Sequence, residues 1–403
     1  MDQKNDLKIS AFLEKKLLDL VQLTPPLSVK SKKVKKIAEA VLALSNAYVF
    51  SETKNKVGEK EGDSRITAYA AYFMPANLVK LFPLLDEVGR DPACRLFQKE
   101  SLSVLDIGCG PGTFTLGVLE YLAGRFSAGR FVLNTLWLTL MDRSRESLSF
   151  AHRLVSDYLD QGPFPRQVRR KTVLKKASLT AAAALGEAFS PDDRYDLIIA
   201  GNVLTELCAA DLSLFTQFVE SHLSPEGVVM VIDPGTRPSF QRLMALKDCF
   251  IRAGLNPFAP CPNSGICPLA VNSKNWCHEN LAWQPPELVR TVDRITGFSK
   301  EKGLRFIYLT LTRRDSTLSR LYPALDPNRV FRVVSYRIRN KGEERLYVCN
   351  GRDRKMLRRL KKNGSDANAD FGAVQRGDCV WFDRVSDRKA FLEIGRETVF
   401  KIL

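Results

Sequence analysis

No apolar run in this 403-residue chain reaches the roughly 18–20 residues that a membrane-spanning helix needs; even Phe131 to Met141 is short and follows Arg130. A protein without a membrane span is expected. The first residues, Met1-Asp2-Gln3-Lys4-Asn5-Asp6, carry two acids and no uninterrupted apolar core, which fits neither a secretory signal nor an acid-poor transit peptide. A cytoplasmic location is therefore expected, and with it reduced thiols, so the nine cysteines are not a disulfide framework. Cys94, Cys109, Cys208 and Cys249 stand alone among helix- or strand-like residues, where cysteine acts as a small buried hydrophobe. No internal repeat is present, and Ala181 to Ala184 is too short to count as low complexity.

With 45% hydrophobic and 26% charged residues, the chain can bury at least one substantial core and carry two or three domains. Sixty-one Lys plus Arg against 45 Asp plus Glu leave a formal charge of +16. Such an excess serves solubility alone, or it favours a polyanionic partner through release of counterions from phosphates. Its placement favours nucleic acid. From Arg329 to Lys362 there are 13 Lys or Arg and 3 Asp or Glu, with Phe331, Tyr336 and Tyr347 interleaved as stacking surfaces. A second basic run comprises Arg166, Arg169, Arg170, Lys171, Lys175 and Lys176.

The pattern divides into an N-terminal helical region, residues 1–96, a central α/β region, 97–259, a cysteine-bearing insertion, 260–328, and a basic β-rich module, 329–403. Lys35 to Phe50 and Thr67 to Val88 repeat apolar residues at helical spacing, with Pro75 and Pro83 placed to start or bend helices. Ser51 to Ser64 between them is polar and reads as a loop. Ser103 to Ile107, Leu136 to Met141, Tyr195 to Ala200 and Gly227 to Ile232 are strand candidates. Each is followed by a turn and a helical stretch, as a doubly wound sheet requires.

Ligands in such sheets bind beyond the carboxyl ends of the strands. At the end of the first strand lies Leu105-Asp106-Ile107-Gly108-Cys109-Gly110-Pro111-Gly112-Thr113. Its glycines fall at 108, 110 and 112, and Thr113 stands where a dinucleotide fingerprint has its third glycine, so NAD is disfavoured. The string resembles the first motif of class I S-adenosylmethionine-dependent methyltransferases, with a Rossmann-like α/β fold, over about Ser101 to Arg237. That resemblance implies that Asp106 and the loop of Gly108, Gly110 and Gly112 face the methionine part of S-adenosylmethionine. It also implies that Asp142 accepts from the ribose hydroxyls and that Asn202 lies near the methyl group. Asp142 and Asn202 are also residues that cap helices or make turns.

Catalytic signatures are missing. The residues after the fourth strand, Gly201-Asn202-Val203-Leu204, are not the Asn/Asp-Pro-Pro-aromatic block of amino-methylating enzymes. No Pro-Cys or Thr-Cys nucleophile for pyrimidine carbon-5 chemistry follows either. Glu206 reads as a helix carboxylate, and no catalytic residue is assigned.

Cys261, Cys267 and Cys277 fall within 17 positions of a Pro- and Gly-containing segment. Thiolates there suit a soft metal or an iron–sulfur cluster. The spacing lacks the paired Cys-x2-4-Cys of a zinc finger, and on the residues alone a cluster, zinc and no metal all stay open. His278, Cys349 and Cys379 are candidate fourth ligands; His278 adjoins Cys277, and neighbouring side chains seldom converge on one ion.

Further blocks carry a narrower resemblance: Tyr69-Ala70-Ala71-Tyr72-Phe73-Met74-Pro75-Ala76, Leu204-Thr205-Glu206-Leu207, Ile232-Asp233-Pro234-Gly235-Thr236, Cys261-Pro262, Cys267-Pro268-Leu269, Trp276-Cys277-His278 and Cys349-Asn350-Gly351. From about Tyr69 onward the chain resembles the methyltransferase-like assembly factors of the mitochondrial small ribosomal subunit and their bacterial relatives. The resemblance implies binding to small-subunit rRNA and a [4Fe-4S] cluster on Cys261, Cys267, Cys277 and Cys349, with Cys379 left to strand packing and the C-terminal module OB-like. Asn263 stands where the family commonly has His, and Glu279 where it has an aromatic. The expected function is a monomeric, rRNA-binding assembly factor with S-adenosylmethionine bound and turnover open. The alternative is an active rRNA methyltransferase in which zinc or a cluster is purely structural.

Overall fold

The computed structural model describes residues 7–50, 63–129, 132–270 and 274–403. Most of the loop expected between Ser51 and Ser64 lies outside them. The chain forms two compact units: Met1–Gly89, Ala93–Met230 and Leu281–Leu304 make the first, and Arg90–Pro92, Val231–Asn280 and Arg305–Leu403 the second.

The first unit is built on β1 (Ser101–Ile107), β2 (Thr135–Asp142), β3 (Arg169–Lys176), β4 (Tyr195–Gly201) and β5 (Leu223–Pro234), in the order β3-β2-β1-β4-β5. β1 runs parallel to β2 and β4, and β2 parallel to β3. Strands buried on both faces need continuous apolar runs, which Val104, Leu105 and Ile107 and then Leu197, Ile198 and Ile199 provide. Helices Thr113–Ser127 and Arg145–Gln161 return the chain from β1 to β2 and from β2 to β3. The connection from β3 to β4 then crosses to the other side of β1, which opens a ligand crevice at the carboxyl ends of β1 and β4. This is the class I methyltransferase fold that the glycine loop implied.

Two features depart from the sequence reading. β3 was not among the strand candidates; it is the basic run Arg169–Lys176, the edge of the sheet. Lys and Arg suit an edge, where they discourage pairing with another chain. The helical stretch Thr67 to Val88 is real but broken: a π-helical turn at Tyr69–Phe73 precedes Met74–Leu78 and Leu81–Gly89. Such turns often mark functional sites.

The second unit contains helix Arg237–Arg252, β6 (Asn256–Ala259), β7 (Glu279–Leu281) and β8 (Leu304–Thr312), with β6 antiparallel to β8. Its C-terminal module is a separate eight-stranded sheet. The strands are β9 (Val330–Val333), β10 (Ile338–Asn340), β11 (Glu343–Cys349), β12 (Arg354–Leu360), β13 (Cys379–Asp383), β14 (Ser386–Asp387), β15 (Leu392–Ile394) and β16 (Val399–Ile402). Their order is β14-β15-β12-β11-β9-β13-β16, with β10 on β11. Phe331, Val333, Leu346, Val348, Leu357, Phe371, Val380 and Phe400 fill its core, and the Phe331 and Phe382 rings stack at 4.9 Å.

Candidate functional site

In the first unit the glycine loop turns through three left-handed residues, Gly108 (φ +64°), Gly110 (φ +52°) and Gly112 (φ +86°). Only glycine adopts these angles without strain. Space matters as well. A Cβ on Gly108 would stand 2.5 Å from Val203 Cγ1 and one on Gly112 3.2 Å from Ala151 Cβ, whereas one on Gly110 would meet nothing within 4 Å. The loop is thus packed at its ends and open at Gly110.

Asp106 is 1% exposed. Its Oδ2 accepts from Thr115 N at 2.8 Å and from Thr115 Oγ1 at 2.7 Å, while Oδ1 is buried with no hydrogen-bond donor among the described residues. Burial pushes the Asp106 carboxyl up to about 7, against the two hydrogen bonds from Thr115. Asp142 holds the loop from β2: Oδ2 accepts from Gly110 N at 2.9 Å and Oδ1 from Ser144 N at 2.9 Å. Burial raises its carboxyl too. The helix cap considered for Asp142 falls instead to Ser144, whose side chain accepts from Ser147 N, and the remaining lone pairs of Asp142 can still serve a ligand. Asn202, at φ +60°, begins the turn after β4.

One group escaped the sequence reading. The Tyr69 hydroxyl, on the π-helical turn, faces Asn202 and Thr113 and is pushed up by burial. It accepts from Asn77 Nδ2 at 3.0 Å, and Asn77 Oδ1 accepts from the buried Lys80 Nζ at 2.7 Å. The π-helical turn that brings Tyr69 to this position leaves no trace in the periodicity. Glu206 ends the 3-10 turn Leu204–Glu206 as a half-exposed carboxylate 3.5 Å from Arg143.

In the second unit Cys261, Cys267, Cys277 and Cys349 line one cavity of about 60 Å³. The loops carrying them are interlocked. Asn263 N donates to Asn350 O at 3.0 Å, and Arg352 Nε donates to Ser264 O at 3.0 Å. Asn263 Nδ2 donates to Pro327 O at 2.8 Å, and its Oδ1 accepts from Ser319 Oγ at 2.8 Å. Asn263, one of the family departures, is thus a tie between segments distant in sequence. Glu279, the other, accepts from Arg332 Nε at 3.0 Å beside the cavity. Trp276 Nε1 donates to Gly235 O at 2.9 Å and anchors the segment bearing Cys277.

Burial pushes up the Cys261 thiol, against the cations of Lys247 and Arg332. It raises Cys277 strongly and Cys349 to about 12, and in both cases the other thiols add to the rise. Mutually opposed buried thiols lose protons most easily to a cation placed among them. Among the described residues, however, no three or more His, Cys, Asp or Glu side chains are grouped so as to hold a metal ion. Burial lowers His278 to about 4, so it is neutral at pH 7. Cys379 does not line the cavity. It pairs with Arg332, which in turn pairs with Cys349 across β9, so two strand spacings separate the cysteines. Of the cysteines read as buried hydrophobes, Cys94 and Cys109 are buried, but Cys208 is exposed and Cys249 half-exposed. Cys208 precedes helix Ala209–His222, and its backbone N–H donates to Asp211.

The basic C-terminal run is partly neutralised within its own sheet. Glu343 pairs with Arg345 and Arg358, and Glu344 with Arg337, Arg339 and Arg359. The Arg354 guanidinium stacks on Tyr347 at 4.1 Å. Fewer of its cations are left for phosphate than the bare count implied.

No curated protein matches the chain. Among solved structures, magnesium protoporphyrin IX methyltransferase from Synechocystis PCC 6803, with bound SAH, is 10% identical, covering 68% of this chain and 100% of its own at a TM-score of 0.35. A SAM-dependent methyltransferase from Leishmania major is 12% identical, covering 74% of this chain and 91% of its own at a TM-score of 0.37. Likeness at this level adds nothing to the fold already described. The family model for mitochondrial small ribosomal subunit Rsm22 matches residues 63–375, most of the chain, and the protein belongs to that family.

Proposed function

We propose that the protein is a methyltransferase-like assembly factor that binds S-adenosylmethionine and the rRNA of the small ribosomal subunit, and that Cys261, Cys267, Cys277 and Cys349 hold a [4Fe-4S] cluster. The observation that carries this reading is that all four cysteines line one cavity in a chain of a small-subunit family. The loop from Cys277 to Cys349 would then be closed by metal, and metal binding would contribute directly to folding.

S-adenosylmethionine supplies an electrophilic methyl group when bound. The donorless Asp106 Oδ1 suits its ammonium, the open side of Gly110 leaves room for a ligand against the backbone, and Asp142 retains lone pairs for hydroxyls. An ammonium favours ionised Asp106, so S-adenosylhomocysteine should bind more tightly as pH rises, by up to about tenfold per unit below about pH 7, and level off above. Without ligand the sign reverses. The folded pKa lies above the unfolded value, so stability from this group falls as pH rises between about 4 and 7. Asp106→Asn should weaken binding and flatten both profiles, as titration calorimetry and melting curves at several pH values would read; unchanged profiles would exclude Asp106 from the cofactor site.

The RNA arm is tested by sedimenting the protein with purified small subunits across a salt series. Displacing about 6–10 phosphate counterions predicts a loss of roughly 10³–10⁵ in affinity between about 50 and 200 mM salt. Absence of co-sedimentation at low salt would reject it.

A further inference from the structure

Away from the glycine loop, β2 and β3 leave an indole and cations exposed on one face of the first unit. Trp137 is 43% exposed. It lies in register between Ser103 of β1 and Lys171 of β3, and Lys171 Nζ sits 5.5 Å from its ring centroid. Arg169, exposed and two residues earlier on β3, points to the same side as Lys171, about 6.6 Å along the strand. That is close to the step of an extended nucleotide chain.

β3 carries five cations and no acid. Arg170 pairs with Asp160 at 2.8 Å and Lys175 with Asp193 at 3.6 Å. Arg169 and Lys171 have no carboxylate partner among the described residues. Edge-guarding explains lysines on an outer strand, but it does not call for an exposed tryptophan beside them. Cations that track a backbone next to a ring that accepts any base are the elements of single-strand recognition.

We infer that Trp137, Lys171 and Arg169 form a docking surface for single-stranded RNA, with a base on the indole and phosphates on the two cations. The inference rests on the RNA-binding reading above and assigns it a surface. On binding, the base takes the ring face and the Lys171 ammonium moves to the adjoining phosphate, which leaves each group paired.

The test is fluorescence anisotropy of a short, unstructured, labelled oligoribonucleotide with the full-length protein. Trp137→Ala should weaken binding about tenfold or more, while Trp137→Phe keeps most of it because stacking survives. Arg169→Ala with Lys171→Ala should lower the slope of log affinity against log salt by about 1.4. Variants that melt like the wild type yet bind with unchanged affinity and slope would overturn the inference and leave the cations as edge guards. If those variants instead lost binding to polyglutamate alone, the surface would be a protein-docking site and the inference would fail. Wild-type protein that sediments with small subunits while these variants do the same isolates that failure to the surface. Loss of wild-type sedimentation would fail the RNA reading itself.

Discussion

Cys349→Ser should emerge from anaerobic purification with most of its iron and visible absorbance gone. The residue lies about 70 positions from Cys277, so its loss would open the longest loop that the proposed cluster would close. Structural metal sites contribute about 10 kcal/mol or more to small domains, and a site short of one thiolate of four forfeits several of these. A fall of about 10 °C in melting temperature is expected for the second unit, read by calorimetry. Cys379→Ser is the control. That side chain does not line the cavity, so iron content should stay at the wild-type level. Equal iron loss in both variants would show that the cavity does not define the ligand set.

Gly351→Ala should be nearly as damaging without removing any ligand. Gly351 has φ +98°, and its added Cβ would overlap the Asn263 carbonyl oxygen and stand 3.2 Å from Cys261 Cβ. Left-handed strain and overpacking against backbone together cost about 2–5 kcal/mol. Because the clash falls between the loops of Cys261 and Cys349, iron occupancy should drop along with chemical-denaturation stability. Wild-type stability with full iron would mean that the two loops are not held together as described.

How far the sequence foretold this arrangement depends on the range of the interaction. β1 was legible because an apolar run ending in a glycine turn is a local signal, and the loop geometry of Gly108, Gly110 and Gly112 follows from it. β3 was not, since an edge strand needs only partial burial and Arg-Arg-Lys-Thr-Val-Leu-Lys-Lys shows no apolar alternation. The π-helical turn inserts a single residue into a helical repeat, a shift smaller than the pattern resolves, so Tyr69 was seen as part of a block and not as a neighbour of Asn202. The pairing of Glu343 and Glu344 with arginines depends on strand register among β10, β11 and β12, which composition does not contain. The three clustered cysteines were legible by spacing. Cys349 was one of three candidates for a fourth ligand and was chosen among them only through family resemblance, because contacts between Asn263, Asn350 and Arg352 bring it in from a distant strand.

The Asn263 and Glu279 departures leave the packing around the proposed ligands satisfied. Asn263 satisfies its amide on Pro327 and Ser319, and Glu279 its carboxylate on Arg332, so neither leaves a buried polar group unpaired. Both lie beside thiols, not among them, and the four-cysteine set is unaltered.

The most direct test is iron and acid-labile sulfide analysis of the anaerobically purified wild-type protein. The account predicts about four of each per chain. A colourless protein with stoichiometric zinc and no iron, or one with neither metal, would contradict it.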